Sequence, residues 1–258
     1  MAKPFKNLNE QIEYLQKNKS IVFNDIEKAK KYLLDSNYFN VISCSKVKFA
    51  EKIENGCHIY SLHDFEEWKT YFEQDCYVSE SIMLNMIEFE RTLNSRVSYQ
   101  ISMLFADGSL NASERNALVL KIRNSKVYKA QKFYGKEAWK YITKMTFGET
   151  KSLLFWLKEN KKELYKDIVA DYPFLSSNVK RRLDDLNYLR NALFHFTPLN
   201  IFLSYAYRKN GKIDNRSRKE AVEFAFSLLP NQRARIFLDE ILQNSDRFTV
   251  IKNSQRKR

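Results

Sequence analysis

Glycine and proline together supply only nine of the 258 residues. A chain so poor in turn-formers cannot easily build a many-stranded β protein, which needs a turn signal about every 8–12 residues. Long helices are the economical alternative. The apolar spacing agrees: from Val78 to Leu104, Met83, Met86, Ile87, Leu93, Val97, Ile101 and Leu104 recur at helical intervals. The expected fold is all-α, a helical bundle with a small N-terminal helical region.

Shorter helices are predicted around this one. Residues 8–17 form the first. Asn24, with Glu27 three positions on, reads as the N-cap of a helix through Asp35, continued in aromatic form by Asn37–Ile42. Residues 44–60 read as a loop or short strands. Ser61 and Asp64 cap a helix through Trp68 and Phe72. Asp107-Gly108-Ser109 lacks the acidic repeat of a calcium loop and reads as a turn. Further helices are expected over 112–124, 136–146, 149–159, 161–170, 177–197, 216–228 and 231–243. The implied organisation is an N-terminal region over 1–60, a bundle over 61–243 and a basic tail over 244–258.

Apolar residues make up 44% of the chain and aromatics 14%, enough for a sizeable core. No run of 18 apolar residues exists, and the first residues carry no apolar signal core, so a cytoplasmic location is expected. Three widely spaced cysteines argue against a disulfide framework. Cys57-His58 and His63 match no tetrahedral metal spacing, and neither metal nor cofactor is implied. Trp68, Phe72, Trp139 and Trp156 sit at helical intervals and read as core rather than as stacking platforms.

The net charge is +13 and unevenly spread. Residues 176–219 hold ten Lys and Arg against three Asp, and residues 244–258 hold five against one. A basic patch of this kind attracts a polyanion, most commonly nucleic acid. Lys180, Arg181, Arg182, Arg208, Lys209 and Lys212 are the candidate RNA-binding residues.

Within this basic stretch stands Arg190-Asn191-Ala192-Leu193-Phe194-His195. Arginine holds phosphate and histidine moves protons near neutral pH, a pairing suited to phosphodiester chemistry. At about 100° per residue, Val179, Leu183, Leu186 and Leu193 share one face, with Arg190 at its edge. Asp184, Tyr188, Asn191 and His195 lie opposite, a second organised face that another protomer can cover. Asn191 and His195 are i,i+4 neighbours, whereas Arg190 stands about 140° around the helix from His195. In a last helical turn the dipole favours the imidazolium, the form that donates a proton. Glu90 falls on the apolar stripe of the long helix, where a carboxylate must find a partner or water.

The hexapeptide resembles the Arg-polar-three-residues-His motif of HEPN ribonucleases. Asn37-Tyr38-Phe39-Asn40-Val41, Phe89-Glu90-Arg91-Thr92-Leu93, and Trp139 followed by Met145-Thr146-Phe147-Gly148-Glu149 resemble segments of the Abi-like (AbiD/AbiF) abortive-infection family, in the same order. The resemblance covers most of residues 1–200. It implies a HEPN-like bundle, metal-independent RNA cleavage in phage defence, and a site shared across a homodimer. Arg190 and His195 would be catalytic, Asn191 would assist, and Glu90 would orient one of them. A structured RNA antitoxin is a candidate restraining partner, and no membrane is expected. A non-catalytic RNA-binding module on the same bundle is the alternative, and a DNA-binding regulator a further one.

Overall fold

The computed structural model describes residues 6–54, 57–175, 177–204, 208–209, 212–213, 216–228 and 232–254. Among them are twelve α-helices and three two-stranded β pairs, so the protein is mostly helical but not purely so. The chain divides into two compact units. One comprises Met1–Met83 with Leu189–Arg258, the other Leu84–Tyr188. Both divisions fall inside helices.

In the first unit, α1 (Leu8–Lys19) opens with a reciprocal capping box between Asn7 and Glu10. The β1 strand (Ile21–Val22) follows. The N-cap of α2 (Ile26–Asp35) is Asp25, whose carboxylate accepts from the Lys28 amide, and not the expected Asn24. Asn24 turns instead to the Asp64 carboxylate. Next come α3 (Tyr38–Phe49) and the antiparallel hairpin of β2 (Ala50–Glu54) and β3 (Cys57–Tyr60). The short β4 (His63–Asp64) pairs in parallel with β1.

A single helix, α4 (Phe65–Ala106), then runs for 42 residues, joining two stretches the sequence reading kept apart. Its residues 65–83 belong to the first unit. There Trp68 and Tyr71 are buried, and Phe49 stacks on Trp68 at 5.0 Å between ring centroids. Asp75, also fully buried on α4, accepts from the backbone amides of Leu199 (2.7 Å) and Asn200 (2.8 Å) and from the Asn200 side chain (2.8 Å). These amides open α10 (Leu199–Ser204), a helix the sequence reading did not anticipate. Asn200 in turn accepts from the Tyr71 hydroxyl, which accepts from Asn244. Each member satisfies the next, as buried polar groups must. Burial nevertheless pushes the Asp75 carboxyl above the usual carboxylate range, against the pull of those amides.

The same unit contains the two-stranded pair β5 (Arg208–Lys209) and β6 (Lys212–Ile213), then α11 (Arg216–Ser227) and α12 (Gln232–Ser254). Residues 244–254, read from charge as a tail, continue α12 and bury Ser245 and Phe248.

In the second unit α4 buries Met86, Phe89, Leu93, Val97, Ile101 and Leu104. Ile87, expected on this stripe, is 44% exposed; Phe89 takes the inward position. The Asp107–Ser109 segment is a turn, with Gly108 at φ 73° and Asp107 capping the Ser109 amide. The unit continues through α5 (Ala112–Arg123), α6 (Ala138–Ile142), α7 (Phe147–Asn160), α8 (Lys162–Val169) and the first part of α9 (Val179–Phe194). The helix expected over 136–146 shrinks to the five residues of α6, because Glu137 before it adopts a left-handed conformation. Trp156 is buried as expected, but Trp139 is 55% exposed and is not core. α7 has a full capping box, Thr146 with Glu149.

Among the described residues no helix is long and apolar enough to cross a membrane.

Candidate active site

Arg190, Asn191 and His195 all lie in the first unit, at the end of α9. Buried Leu189 and Leu193 anchor this end of the helix. The helix stops one residue before His195. The Phe196 amide donates to the Leu193 carbonyl (3.0 Å) and the Thr197 amide to the Ala192 carbonyl (2.9 Å). This pair of bonds is a Schellman termination, with His195 as the C-cap. The next position requires a left-handed conformation and is usually glycine, but here it is Phe196, at φ 54° and 80% exposed. His195 therefore sits at a helix terminus closed by backbone strain, beside an aromatic ring standing in water. Strain of this kind concentrates at functional sites.

The His195 side chain is exposed and borders a cleft of about 700 Å³. The cleft wall is mixed: Phe72, Met83, Leu193 and Pro198 line it beside Asn37, Asn40 and Ser79, with the exposed carboxylates of Asp35 and Glu80 and the buried Asp75. Among the described lining residues there is no Lys or Arg. Cys76, also at the wall, is no nucleophile, since burial and then Asp75 push its thiol up to about 12. Asn37 caps α3 from a positive-φ conformation (φ 63°), and Asn40 reaches from α3 to the Phe196 carbonyl, 3.2 Å away.

Arg190 is half-buried and does not line the cleft. Its guanidinium lies over the Phe194 ring, 4.4 Å from the centroid, and Nη1 donates to Asn191 Oδ1 (3.3 Å). Asn191 thus steadies the arginine, while its main-chain carbonyl accepts from the His195 amide (3.1 Å). Chemically this end of α9 offers a delocalised cation, an exposed imidazole and two partly exposed phenyl rings.

The other candidates from the sequence lie elsewhere. Glu90 is half-buried on α4 in the second unit, with Lys180, Arg181 and Arg182 of α9 in that same unit. Lys180 and Arg181 are exposed, whereas Arg182 bonds to the Phe174 carbonyl and stacks on its ring at 4.6 Å. Arg208, Lys209 and Lys212 form the β5–β6 pair by their backbones, and their side chains lie outside the described residues. His63 is bonded to Glu67 (2.7 Å), and His58 stacks on Phe248.

Asp75 and Phe196 were missed by sequence reasoning, and Asn37 and Asn40 entered it only within a family-like segment, with no site role. Asp75 carried a usable signal, standing three residues from Phe72 and three from Val78 on the apolar side of α4. No protein-family model, curated protein or solved structure matches the chain.

Proposed function

We propose that the protein is a metal-independent RNA endonuclease of the abortive-infection type, acting in phage defence, with its site completed across a homodimer. The observation that carries this reading is the end of α9: Arg190, Asn191 and His195 fall within two turns, the arginine held in place and the imidazole open to a cleft. The motif's resemblance to HEPN ribonucleases supports it. The ribose 2′-hydroxyl attacks its own 3′-phosphate, losing its proton as the P–O bond to the 5′-oxygen breaks and that oxygen gains a proton. Arg190 stabilises the charge gathering on the phosphoryl oxygens. His195 supplies or receives one of the two protons.

One protomer offers one imidazole here, and the exposed carboxylates of Asp35 and Glu80 at the cleft beside it repel phosphate. The phosphodiester is therefore assigned to the Arg190 side of His195. A second copy facing the first supplies the second guanidinium and the second proton carrier. These carboxylates also favour a second reading, in which the basic surfaces hold RNA without cutting it.

Incubating the purified chain with total RNA and a chelator distinguishes the two. Cleavage should give cyclic-phosphate and 5′-hydroxyl ends, and His195→Ala should slow it by roughly 10²–10⁴. Arg190→Ala should cost similarly, and both variants should be harmless on expression where the parent is toxic. Intact RNA, or undiminished cleavage by His195→Ala, would sink the nuclease reading.

A further inference from the structure

The stretch from the end of α5 through α6 concentrates charge within the second unit. Residues 121–144 hold seven Lys and one Arg against the single carboxylate of Glu137. The stretch is fastened down at intervals of three. Val127, Ala130 and Phe133 are buried, and the Phe133 ring meets Phe105 of α4 at 5.4 Å and Tyr141 of α6 at 5.3 Å between centroids. Arg123 of α5 donates its Nε–H to the Phe133 carbonyl (2.7 Å). With these residues turned inward, the side chains between them stand in water. Tyr128 is 82% exposed, Tyr134 73% and Trp139 55%. Lys132, Lys136 and Lys144 are exposed too, and among the described residues their ammonium groups form no hydrogen bond, ion pair or ring contact. Several of the remaining cations are engaged: Arg123 lies over the Tyr134 ring at 4.3 Å, Lys129 over Tyr128 at 4.9 Å, and Lys140 stands 3.6 Å from Glu137.

We propose that this surface binds single-stranded RNA, with bases stacked on Tyr128, Tyr134 and Trp139 and phosphates neutralised by Lys132, Lys136 and Lys144. A polyanion answers the charge. Only unpaired bases offer flat faces to the rings, because in a duplex those faces cover one another. The cations over Tyr128 and Tyr134 hold each ring from one side, and the exposure of both rings leaves the other side to a base. Phe133 and Tyr141 join the segment before α6 to α6 itself, so the rings and lysines belong to one supported surface. A lipid surface would need an amphipathic helix to insert, and α6 has only five residues. The choice of RNA over DNA rests on the proposed nuclease reading, whereas the preference for a single strand does not.

Fluorescence anisotropy of a labelled, 2′-O-methylated RNA strand of about 12 nucleotides tests the surface on the intact protein. Its blocked 2′-oxygens cannot attack the neighbouring phosphates, so binding is read whether or not the protein is a nuclease. The strand should bind at least about tenfold more tightly than its duplex with a complementary strand, and no more weakly than DNA of the same sequence. Tyr134→Ala and Trp139→Ala should each weaken binding about tenfold without changing its salt dependence. Lys132→Gln, Lys136→Gln and Lys144→Gln together should flatten the slope of log K against log salt by about 2. All five positions are exposed, and urea unfolding of each variant should match the parent. The proposal is overturned if the duplex binds as tightly as the single strand, or if both folded ring variants bind as the parent does. Tighter binding of the DNA strand would overturn the assignment to RNA. Tighter binding of phosphatidylserine vesicles than of RNA, weakened by the same ring variants, would make this a membrane surface instead.

Discussion

Asn40 donates its side-chain amide to the main-chain carbonyl of Phe196, 3.2 Å away and 156 residues along the chain. The bond ties α3 to the strained turn that follows His195. A bulky residue held in the left-handed region costs about 1–2 kcal/mol relative to glycine. Phe196 is 80% exposed, so its ring returns little packing energy. Phe196→Gly should therefore raise the unfolding free energy by about 0.5–1 kcal/mol, after allowing for the extra freedom glycine has in the unfolded chain. Phe196→Ala keeps the strain and should gain nothing. Urea unfolding measures both. Asn40→Ala should cost only about 0.5–1 kcal/mol, the net worth of one exposed hydrogen bond, yet slow RNA cleavage well beyond that loss if the turn positions His195.

Asp75 joins α4 to α10 through the amides of Leu199 and Asn200 and the Asn200 side chain. Asp75→Ala leaves three buried donors unsatisfied and should destabilise the protein by about 3 kcal/mol or more. Asp75→Asn still offers one oxygen but turns an N–H₂ toward a donor, so it should recover only part of the loss. Denaturant midpoints of the two variants order them. Equal, near-native stability in both would mean that Asp75 does not hold α10.

Helix type was legible because apolar periodicity and capping boxes are local signals. Asn7 with Glu10, and Thr146 with Glu149, report their own helix starts. Glu90 and Asp75 show where that reasoning ends. Both interrupt an apolar stripe on α4, but only Asp75 is fully buried, because its partners come from residues 199 and 200. Spacing within one helix carries no information about such distant donors. The Arg190–His195 motif stood out in the sequence, whereas the carboxylates of its cleft did not, since Asp35, Asp75 and Glu80 come from two other helices. Trp139 misled for a related reason: its periodicity fits a helix of eleven residues, and the helix has five.

His58 links pH to stability. Its folded pKa, about 4, lies below its ordinary 6.5 through burial and then Lys46, Lys19 and Lys252. The unfolded chain therefore binds more protons than the fold between those two values. The stability of the neutral form is fully present above pH 6.5 and is lost as pH falls toward 4. For a half-buried ring the loss should be about 1–2 kcal/mol after solvent screening. His58→Phe preserves the stack on Phe248 and should unfold with a shallower pH dependence between 7.5 and 4.5 than the parent. Parallel pH profiles would show that His58 contributes nothing to acid sensitivity.

The basic run at the start of α9 is not one patch. Arg182 is half-buried against Phe174, bonded to its carbonyl and stacked on its ring, so it serves the fold. Lys180 is exposed, and Arg181 is 56% exposed and only 4.0 Å from Asp185. If this surface holds RNA, these two side chains carry the contact. Each phosphate neutralised on a single strand contributes about 0.7 to the slope of log K against log salt. Lys180→Glu with Arg181→Glu should therefore weaken RNA binding at low salt and flatten that slope by about 1.4. Arg182→Ala should leave the slope unchanged and lower stability by about 1–2 kcal/mol, through the lost stack and the carbonyl left unpaired. Filter binding across a salt series, paired with urea unfolding of each variant, separates the two roles. A slope unmoved by the double reversal would place the RNA groove elsewhere, and a slope changed by Arg182→Ala would return that residue to the binding surface.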